Sequence, residues 1–231
     1  MRTALAIAAC GPRLEVALGT GAGATGIVAL AGSTPRSELV MAAVDLLLCA
    51  AGLERGALEG VVASRGPGSF TGVRVALASA QGISMALGIP AHGFSSLVAQ
   101  AARTDIQECL AVQPARRGFA YIQSFSRHGG RAEATEEPRI AALETLVKAG
   151  LPVVAPAGLE LPPGTPLARA AITTAEALLT LLATEEEPDP STLIPIYLEP
   201  APATPPPSSR RRSPGPAMPV TRPRPTARKG S

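Results

Sequence analysis

The stretch SRGPGSFTGVR at residues 64–74 runs directly into VALASAQGISMALG at residues 75–88. An apolar run before it and a helical pattern after it place a loop between a strand and a helix. A glycine-rich loop at such a position cradles a phosphate, carries a nucleophile or lets two elements pack closely. The loop consists of Gly66, Pro67, Gly68, Ser69, Phe70, Thr71 and Gly72.

The known phosphate-binding and nucleophile motifs do not fit this loop. A P-loop requires G-x-x-x-x-G-K-[ST], but Gly66 and Gly72 are too far apart and Val-Arg follows instead of Lys-Ser/Thr. The dinucleotide fingerprint fails because its third glycine comes one position late and no acid follows before Asp105. Ser69 lies in G-S-F-T-G, not G-x-S-x-G. We therefore predict a structural turn stiffened by Pro67, with an anion site at the following helix as the alternative.

The composition argues against several classes of site. Aromatic residues make up only 3% of the chain and there is no Trp, which disfavours a platform for stacking bases. The two histidines, His92 and His128, are far apart, and the three cysteines (Cys10, Cys49 and Cys109) lack close spacing. A zinc site or a disulfide framework is therefore not expected. We predict a protein without metal or cofactor.

The chain also carries no apolar run near the ~18 residues that a spanning helix requires, so no membrane segment is expected. The apolar residues 3–9 before Cys10 allow a minimal secretion signal or a first β-strand. We favour the strand and a cytoplasmic location.

Residues 200–231 differ from the rest of the chain. They are rich in proline and contain seven basic residues and no acid, so removing these seven charges from the net +3 leaves −4 for the remainder. Such a segment cannot bury enough apolar surface to offset the entropy of ordering. We predict a disordered tail whose residues Arg210, Arg211 and Arg212 are candidates for contact with RNA phosphates, with a simply solvated extension as the alternative.

The remaining pattern predicts two related α/β lobes, at residues 1–103 and 104–199. The first lobe begins with a three-stranded meander and the second repeats strands followed by helices. The predicted strands are 2–9, 14–18, 26–31, 58–64, 109–113, 118–126 and one ahead of Pro138. The predicted helices are 37–51 with Ser37 as N-cap and Gly52 as terminator, 73–87, a short one within 93–102, 141–149, and 175–184 with the capping box Thr173–Glu176.

The helices at 37–51 and 73–87 carry more apolar surface than one sheet can cover. The first has only Glu38 and Asp45 as charges, and the second has a row of small residues at i, i+4 and i+8. We predict a protein interface, with burial between the lobes as the alternative. The predicted interface residues are Val40, Met41, Val44, Leu47, Leu48, Val73, Ala76, Leu77, Ala80 and Ser84.

The stretch GPGSFTGVRVALASAQGISMALGIPAHGFSSLVAQA, within residues 65–101, resembles the signature of the TsaB (YeaZ) family. Weaker similarities flank it at RSEL (36–39), at ARRG (115–118) with Tyr121, and at PIYL (195–198). The resemblance covers roughly the first 200 residues. It implies a two-lobe actin-like ATPase (RNase H-like, ASKHA) fold, to which the sequence adds the disordered C-terminal tail.

The resemblance also implies a function. It implies a non-catalytic dimerisation subunit that binds the transferase TsaD and the ATPase TsaE. The sequence leaves open whether the chain is a homodimer or a monomer when alone. The complex installs N6-threonylcarbamoyl on adenosine 37 of tRNAs that read codons beginning with A. This chain would meet tRNA only through that complex.

The sequence departs from the family pattern at several positions. Ala8-Ala9-Cys10 replaces Asp-Thr-Ser, Arg36 replaces a His, and QPARRGFAY at 113–121 lacks both acids of Ile-Asp-Ala-Arg-x-Gly-Glu-Val-Tyr. The lost carboxylates are oxygen ligands of the kind that hold Mg²⁺. Three alternatives remain open: a nucleotide-dependent phosphotransferase or hydrolase of the same fold, a divergent non-functional paralogue, and a metallopeptidase, which the absence of His-x-x-x-His disfavours.

Overall fold

The computed structural model describes residues 3–20, 22–185 and 187–198, so the tail at 200–231 with Arg210, Arg211 and Arg212 lies outside the described residues. The described part of the chain forms ten strands and four α-helices. The strands are β1 Ala4–Ala8, β2 Leu14–Thr20, β3 Gly23–Leu30, β4 Gly60–Ser64, β5 Ala91–Phe94, β6 Glu108–Pro114, β7 Phe119–His128, β8 Arg131–Ala134, β9 Arg139–Ala142 and β10 Val153–Val154. The helices are α1 Arg36–Ala51, α2 Phe70–Leu87, α3 Ser96–Ala101 and α4 Thr174–Ala183.

The first sheet has the strand order β3-β2-β1-β4-β5. Strands β1, β2 and β3 form the predicted antiparallel meander, whereas β4 lies parallel to β1 and β5 lies parallel to β4. All five residues of β1 and of β4 are buried, because helices cover both faces of the sheet. Helices α1 and α2 pack on one face, and α4 packs on the other against β1 and β2.

The second sheet has the order β10-β6-β7-β8, and β9 also pairs with β7. The predicted strands at 109–113 and 118–126 correspond to β6 and β7, and the turn at Gly129–Gly130 leads into β8. The predicted helix at 141–149 is wrong: residues up to Ala142 pair with β7, and only a 3₁₀ helix follows at Leu143–Lys148. The short strand β5 was not predicted.

The helix ends follow local hydrogen bonding. Helix α2 begins at Phe70, earlier than predicted, because the Ser69 hydroxyl accepts the Gly72 N–H at 3.2 Å. The predicted Ser37 cap of α1 is wrong, since Pro35 occupies the N-cap position and no side chain caps this helix. Gly52 ends α1 in the left-handed conformation, as predicted. The capping box of Thr173 and Glu176 at α4 is confirmed.

Each predicted lobe contains one of the two sheets, but the chain does not stay within one lobe. Helix α4 follows the second sheet in sequence and yet packs on the first, where Leu178 and Leu179 are buried among the alanines of β1. All described elements belong to one compact unit, Met1–Ala201. In the described ranges we find no helix that is both long and apolar enough to cross a membrane.

Candidate functional site

The glycine loop after β4 lies against two other backbone segments. Gly66 has φ 96°, and a Cβ there would stand 2.6 Å from the carbonyl oxygen of Ile196. A Cβ on Gly68 would stand 2.5 Å from the carbonyl oxygen of Cys10, and one on Gly72 would overlap the carbonyl oxygen of Ala9. The loop therefore uses glycine where the backbones approach too closely for a side chain. This geometry supports the structural interpretation of the loop.

The space ahead of α2 is occupied by protein groups. The Ser69 N–H donates to the carbonyl of Cys10 at 2.9 Å, which joins the loop to the end of β1. The Arg36 guanidinium donates to the carbonyls of Ala9, Gly11 and Pro12 at 2.9, 2.7 and 2.9 Å. Burial lowers the pKa of Arg36. The alternative anion site is weakened because this guanidinium is already engaged by backbone carbonyls at the end of β1.

A small cavity lies behind this loop. Its lining includes one thiol and one carboxylate, those of Cys10 and Glu15. Burial raises the pKa of Cys10 to about 11, so the thiol is neutral and donates to the Ser64 hydroxyl at 3.1 Å. The Glu15 carboxylate accepts the N–H groups of Thr174 and Ala175 at the start of α4. Both groups therefore serve internal hydrogen bonding.

The described residues do not assemble a set of metal ligands. Among residues 3–20, 22–185 and 187–198 the structure contains no group of three or more His, Cys, Asp or Glu placed to hold a metal ion. The two histidines are separated, with His92 on β5 and His128 at the end of β7.

Most of the predicted interface residues lie in the core of the chain itself. Eight of the ten are buried: Val40, Val44, Leu47, Leu48, Val73, Ala76, Leu77 and Ala80. They pack with the apolar side chains of β1, β2 and β4, because this face of each helix is the one turned to the sheet. The prediction that these side chains meet a partner is corrected accordingly. Of the remaining two, Ser84 donates to the Ile89 carbonyl at the end of α2, and Met41 is 44% exposed.

The outward sides of α1 and α2 carry a different apolar set, which we call the α1–α2 face. It consists of Met41 (44% exposed), Leu46 (59%) and Met85 (84%), with the exposed small residues Ala78 and Gly82. An open groove runs between the helices and is lined by Met41, Ala78 and Gly82, among others. The outward row of small residues is therefore Ala78, Gly82 and Ala86, again at i, i+4 and i+8. The sequence analysis instead predicted that the row two positions earlier, Ala76, Ala80 and Ser84, faces a partner.

The sequence contained a signal that separates the two rows. The row with Ala76 and Ala80 is continuous with Val73, Leu77 and Ile83, whereas the row with Ala78 and Gly82 is bordered by Arg74 and Gln81. The charged and amide side chains mark the outward side of α2.

Comparison with known proteins gives a consistent family and fold. A family model described as TsaD, tRNA N6-adenosine threonylcarbamoyltransferase, matches residues 21–171. The tRNA threonylcarbamoyladenosine biosynthesis protein TsaB of Escherichia coli (strain K12) is 30% identical over 114 residues, which are 45% of this chain and 49% of that protein. An uncharacterized protein of Mycobacterium leprae (strain TN) is 41% identical over 88 residues, which are 38% of this chain and 22% of that protein. The chain thus spans about half or less of these curated relatives.

Two solved structures share the fold. YeaZ from Pseudomonas aeruginosa superposes with a TM-score of 0.67 at 23% identity, covering 86% of this chain and 100% of YeaZ. A second structure, described as an uncharacterized protein with similarity to peptidase YEAZ from Pseudomonas aeruginosa, gives a TM-score of 0.65 at 24% identity, with the same coverage. The predicted mixed α/β fold with two sheets is confirmed.

Proposed function

Because the chain belongs to the TsaD family and, within it, to its TsaB (YeaZ) members, we propose that it is a subunit of the machinery that makes N6-threonylcarbamoyladenosine in tRNA. In this role it acts in the cytoplasm as a non-catalytic scaffold. It binds a TsaD-like transferase directly and a TsaE-like ATPase within the same complex, and it meets tRNA through that complex. When alone it pairs with a second copy of itself.

The observation that carries this proposal is the α1–α2 face. Soluble monomers rarely expose a contiguous apolar patch without a binding role. Met85 is 84% exposed and Leu46 is 59% exposed, which is unusual for large apolar side chains on two adjacent helices. The groove between the helices, lined by Met41, Ala78 and Gly82, would let a partner helix approach to the usual interaxial distance of about 8–10 Å. A helical partner surface fits this groove.

The end of β1 supports the non-catalytic part of the proposal. A phosphotransferase of this fold would need a carboxylate and open space there for metal and phosphate. In this chain Ala8 stands at that position, the Arg36 guanidinium binds the neighbouring carbonyls, and the glycine loop packs directly on Ala9 and Cys10. The phosphotransferase and hydrolase alternative is therefore the weaker one.

The experiment is co-purification of the chain with the TsaD-like protein of the same organism. We expect the wild type to form the complex and Met41→Asp, at a residue that lines the groove, to lose it by at least about tenfold in affinity, because a buried unpaired carboxylate costs more than about 1.4 kcal/mol. Leu167→Asp is the matched control, since Leu167 is 64% exposed and lies outside the α1–α2 face. It should bind as the wild type does.

Three outcomes would contradict the proposal. Equal binding by Met41→Asp and wild type would remove the α1–α2 face from the interface. Mg²⁺-dependent ATP hydrolysis by the isolated chain, abolished by a substitution such as Arg36→Ala, would favour the enzyme alternative. A wild-type chain that binds no TsaD-like protein at all would favour the divergent, non-functional paralogue.

A further inference from the structure

Residues 187–198, which we call the strap, return from α4 across the edge of the first sheet. The Thr192 hydroxyl accepts the Gly93 N–H at 2.7 Å, and the Thr192 carbonyl accepts from the Arg65 guanidinium at 3.3 Å. Leu193 is only 5% exposed and joins the core beneath α2. A Cβ on Gly93 would stand 2.6 Å from the Thr192 carbonyl oxygen, so β5 carries glycine where the strap crosses it.

The strap is held at its beginning by a histidine. His92 on β5 accepts the backbone N–H of Asp189 through Nδ1 at 3.0 Å. The residue is 8% exposed, and its ring lies 4.5 Å from the ring of Phe94. An imidazole nitrogen accepts a hydrogen bond only while it carries no proton. This contact therefore exists only in the neutral form of His92.

The strap ends beside the α1–α2 face. The Ile196 N–H donates to the Arg65 carbonyl at 2.7 Å, next to the glycine loop. The Tyr197 hydroxyl accepts from the Arg74 guanidinium at 3.3 Å, and the Tyr197 ring lies 5.3 Å from the ring of Phe70. Phe70 and Arg74 line a second groove, which continues along α2 to Ala78. The position of the strap thus sets the surface at the start of α2.

We propose that His92 is a proton-sensitive latch for the strap. Protonation of Nδ1 removes the acceptor for the Asp189 N–H and places a second donor against it. The strap then loses one of its anchors while those at Thr192, Leu193 and Ile196 remain, so the docking of the strap as a unit weakens, and Tyr197 at its far end reports this weakening. This latch is a property of the isolated chain and does not depend on the proposed partner.

The charges around His92 decide the direction of the effect. Burial lowers the pKa of His92, the carboxylates of Glu185 and Asp189 raise it, and the Arg65 guanidinium lowers it, with a net lowering. The pKa of His92 is therefore lower when the strap is docked than when it is detached, which means that the docked strap favours the neutral imidazole. The docked state is therefore fully favoured above the ordinary histidine pKa of about 6.5 and loses stability as the pH falls below it.

The Asp189 carboxylate does not reproduce this behaviour between pH 8 and pH 5. The side-chain and backbone hydrogen bonds of Ser191 lower the pKa of Asp189 below its ordinary value of 3.8, so this carboxylate stays charged. The only other histidine, His128, lies at the far end of β7 and is exposed. Variants of the two histidines therefore separate the latch from general acid effects.

The experiment uses the full chain labelled with 3-fluorotyrosine. The chain has two tyrosines, so ¹⁹F NMR gives one signal for Tyr197 on the strap and one for Tyr121, which is 8% exposed on β7. On lowering the pH from 8 to 5 we expect the Tyr197 signal to move toward its position in urea, while Tyr121 stays in place. Each unit between the detached and docked pKa values raises the detached population by up to about tenfold.

Three variants complete the test. His92→Asn keeps an acceptor near the position of Nδ1 and cannot titrate, so its Tyr197 signal should not change with pH. His92→Phe removes the acceptor and should move the Tyr197 signal toward its position in urea already at pH 8, with Tyr121 reporting that the fold is intact. His128→Asn should titrate as the wild type does. A wild-type Tyr197 signal that is constant from pH 8 to 5, or an equal pH response in His92→Asn, would overturn the latch.

Discussion

Gly72 and Gly82 lie in the same helix, and the surroundings of each one decide what a methyl group would do there. At Gly72 an added Cβ would overlap the carbonyl oxygen of Ala9, whereas at Gly82 it would meet nothing within 4 Å. The backbone at the end of β1 cannot move away, because Arg36 and Ser69 hold it by hydrogen bonds. Replacement of glycine by alanine should therefore lower the stability of the protein at Gly72 and raise it at Gly82.

We expect Gly72→Ala to destabilise the protein by about 3 kcal/mol, since overpacking against backbone forces a shift of the loop. Gly82→Ala should stabilise it by about 0.5–1 kcal/mol, the usual difference between glycine and alanine inside a helix. Urea denaturation gives both values. A neutral Gly72→Ala would mean that the glycine loop does not pack on β1.

On the scale of the helices, the sequence analysis predicted that α1 and α2 exist but gave the wrong side of each helix as the one that faces solvent and a partner. The apolar content of residues 37–51 and 73–87 correctly indicated helices with more than one apolar side. The small residues alone did not show which side faces the sheet, because α2 carries such a row on both sides: Ala76 and Ala80 inward, Ala78 and Gly82 outward. Only the polar side chains that border the outward row distinguish the two. Hydrophobic periodicity does not identify the buried face of a helix when both of its faces are apolar.

The rotation of α2 can be tested with one added side chain at two positions. Ala80→Arg places a charge at a position of 0% exposure in the core, so we expect a loss of more than about 3 kcal/mol and mostly insoluble protein. Gly82→Arg extends into the open groove and should leave the melting temperature within a few degrees of the wild type while blocking the TsaD-like partner. Soluble fraction, melting temperature and co-purification distinguish the two.

The opposite result would reverse the assignment of faces. A soluble, folded Ala80→Arg that fails to bind its partner would return the interface to the row with Ala76 and Ala80. Normal binding by Gly82→Arg would leave the groove without a role.

On the scale of the whole molecule, the two sheets could be predicted from the repeated order of strands and helices, and the family resemblance supplied the two-lobe architecture. The packing of α4 and of the strap on the first sheet could not be predicted from the sequence, because these contacts join residues that are far apart in the chain. The Glu15 carboxylate on β2 accepts a backbone N–H at the start of α4, and Gly66 leaves room for the carbonyl of Ile196. The local sequence around Glu15 and Gly66 does not indicate either contact. Tertiary contacts of this kind lie beyond local pattern.

Arg103 is the residue that most directly ties these distant segments together. It follows α3, is 7% exposed, and donates to the Gln100 side chain at 2.6 Å, to the Ala155 carbonyl at 2.8 Å and to the Ile172 carbonyl at 2.9 Å. Burial lowers the pKa of this guanidinium, and Glu15 and Glu176 raise it. These bonds connect α3 with the chain after β10 and with the approach to α4.

We expect Arg103→Ala to destabilise the protein by about 3–5 kcal/mol, because one buried and two half-buried acceptors lose their donor and two carboxylates lose a nearby cation. Arg131→Ala is the matched control, since Arg131 is 59% exposed at its side chain and its ion pair with Glu185 at 3.3 Å is worth at most about 1 kcal/mol. Urea denaturation measures both. A loss below 1 kcal/mol for Arg103→Ala would show that α4 is held on the first sheet by apolar contacts alone, with Leu178 and Leu179 sufficient to bring the chain back.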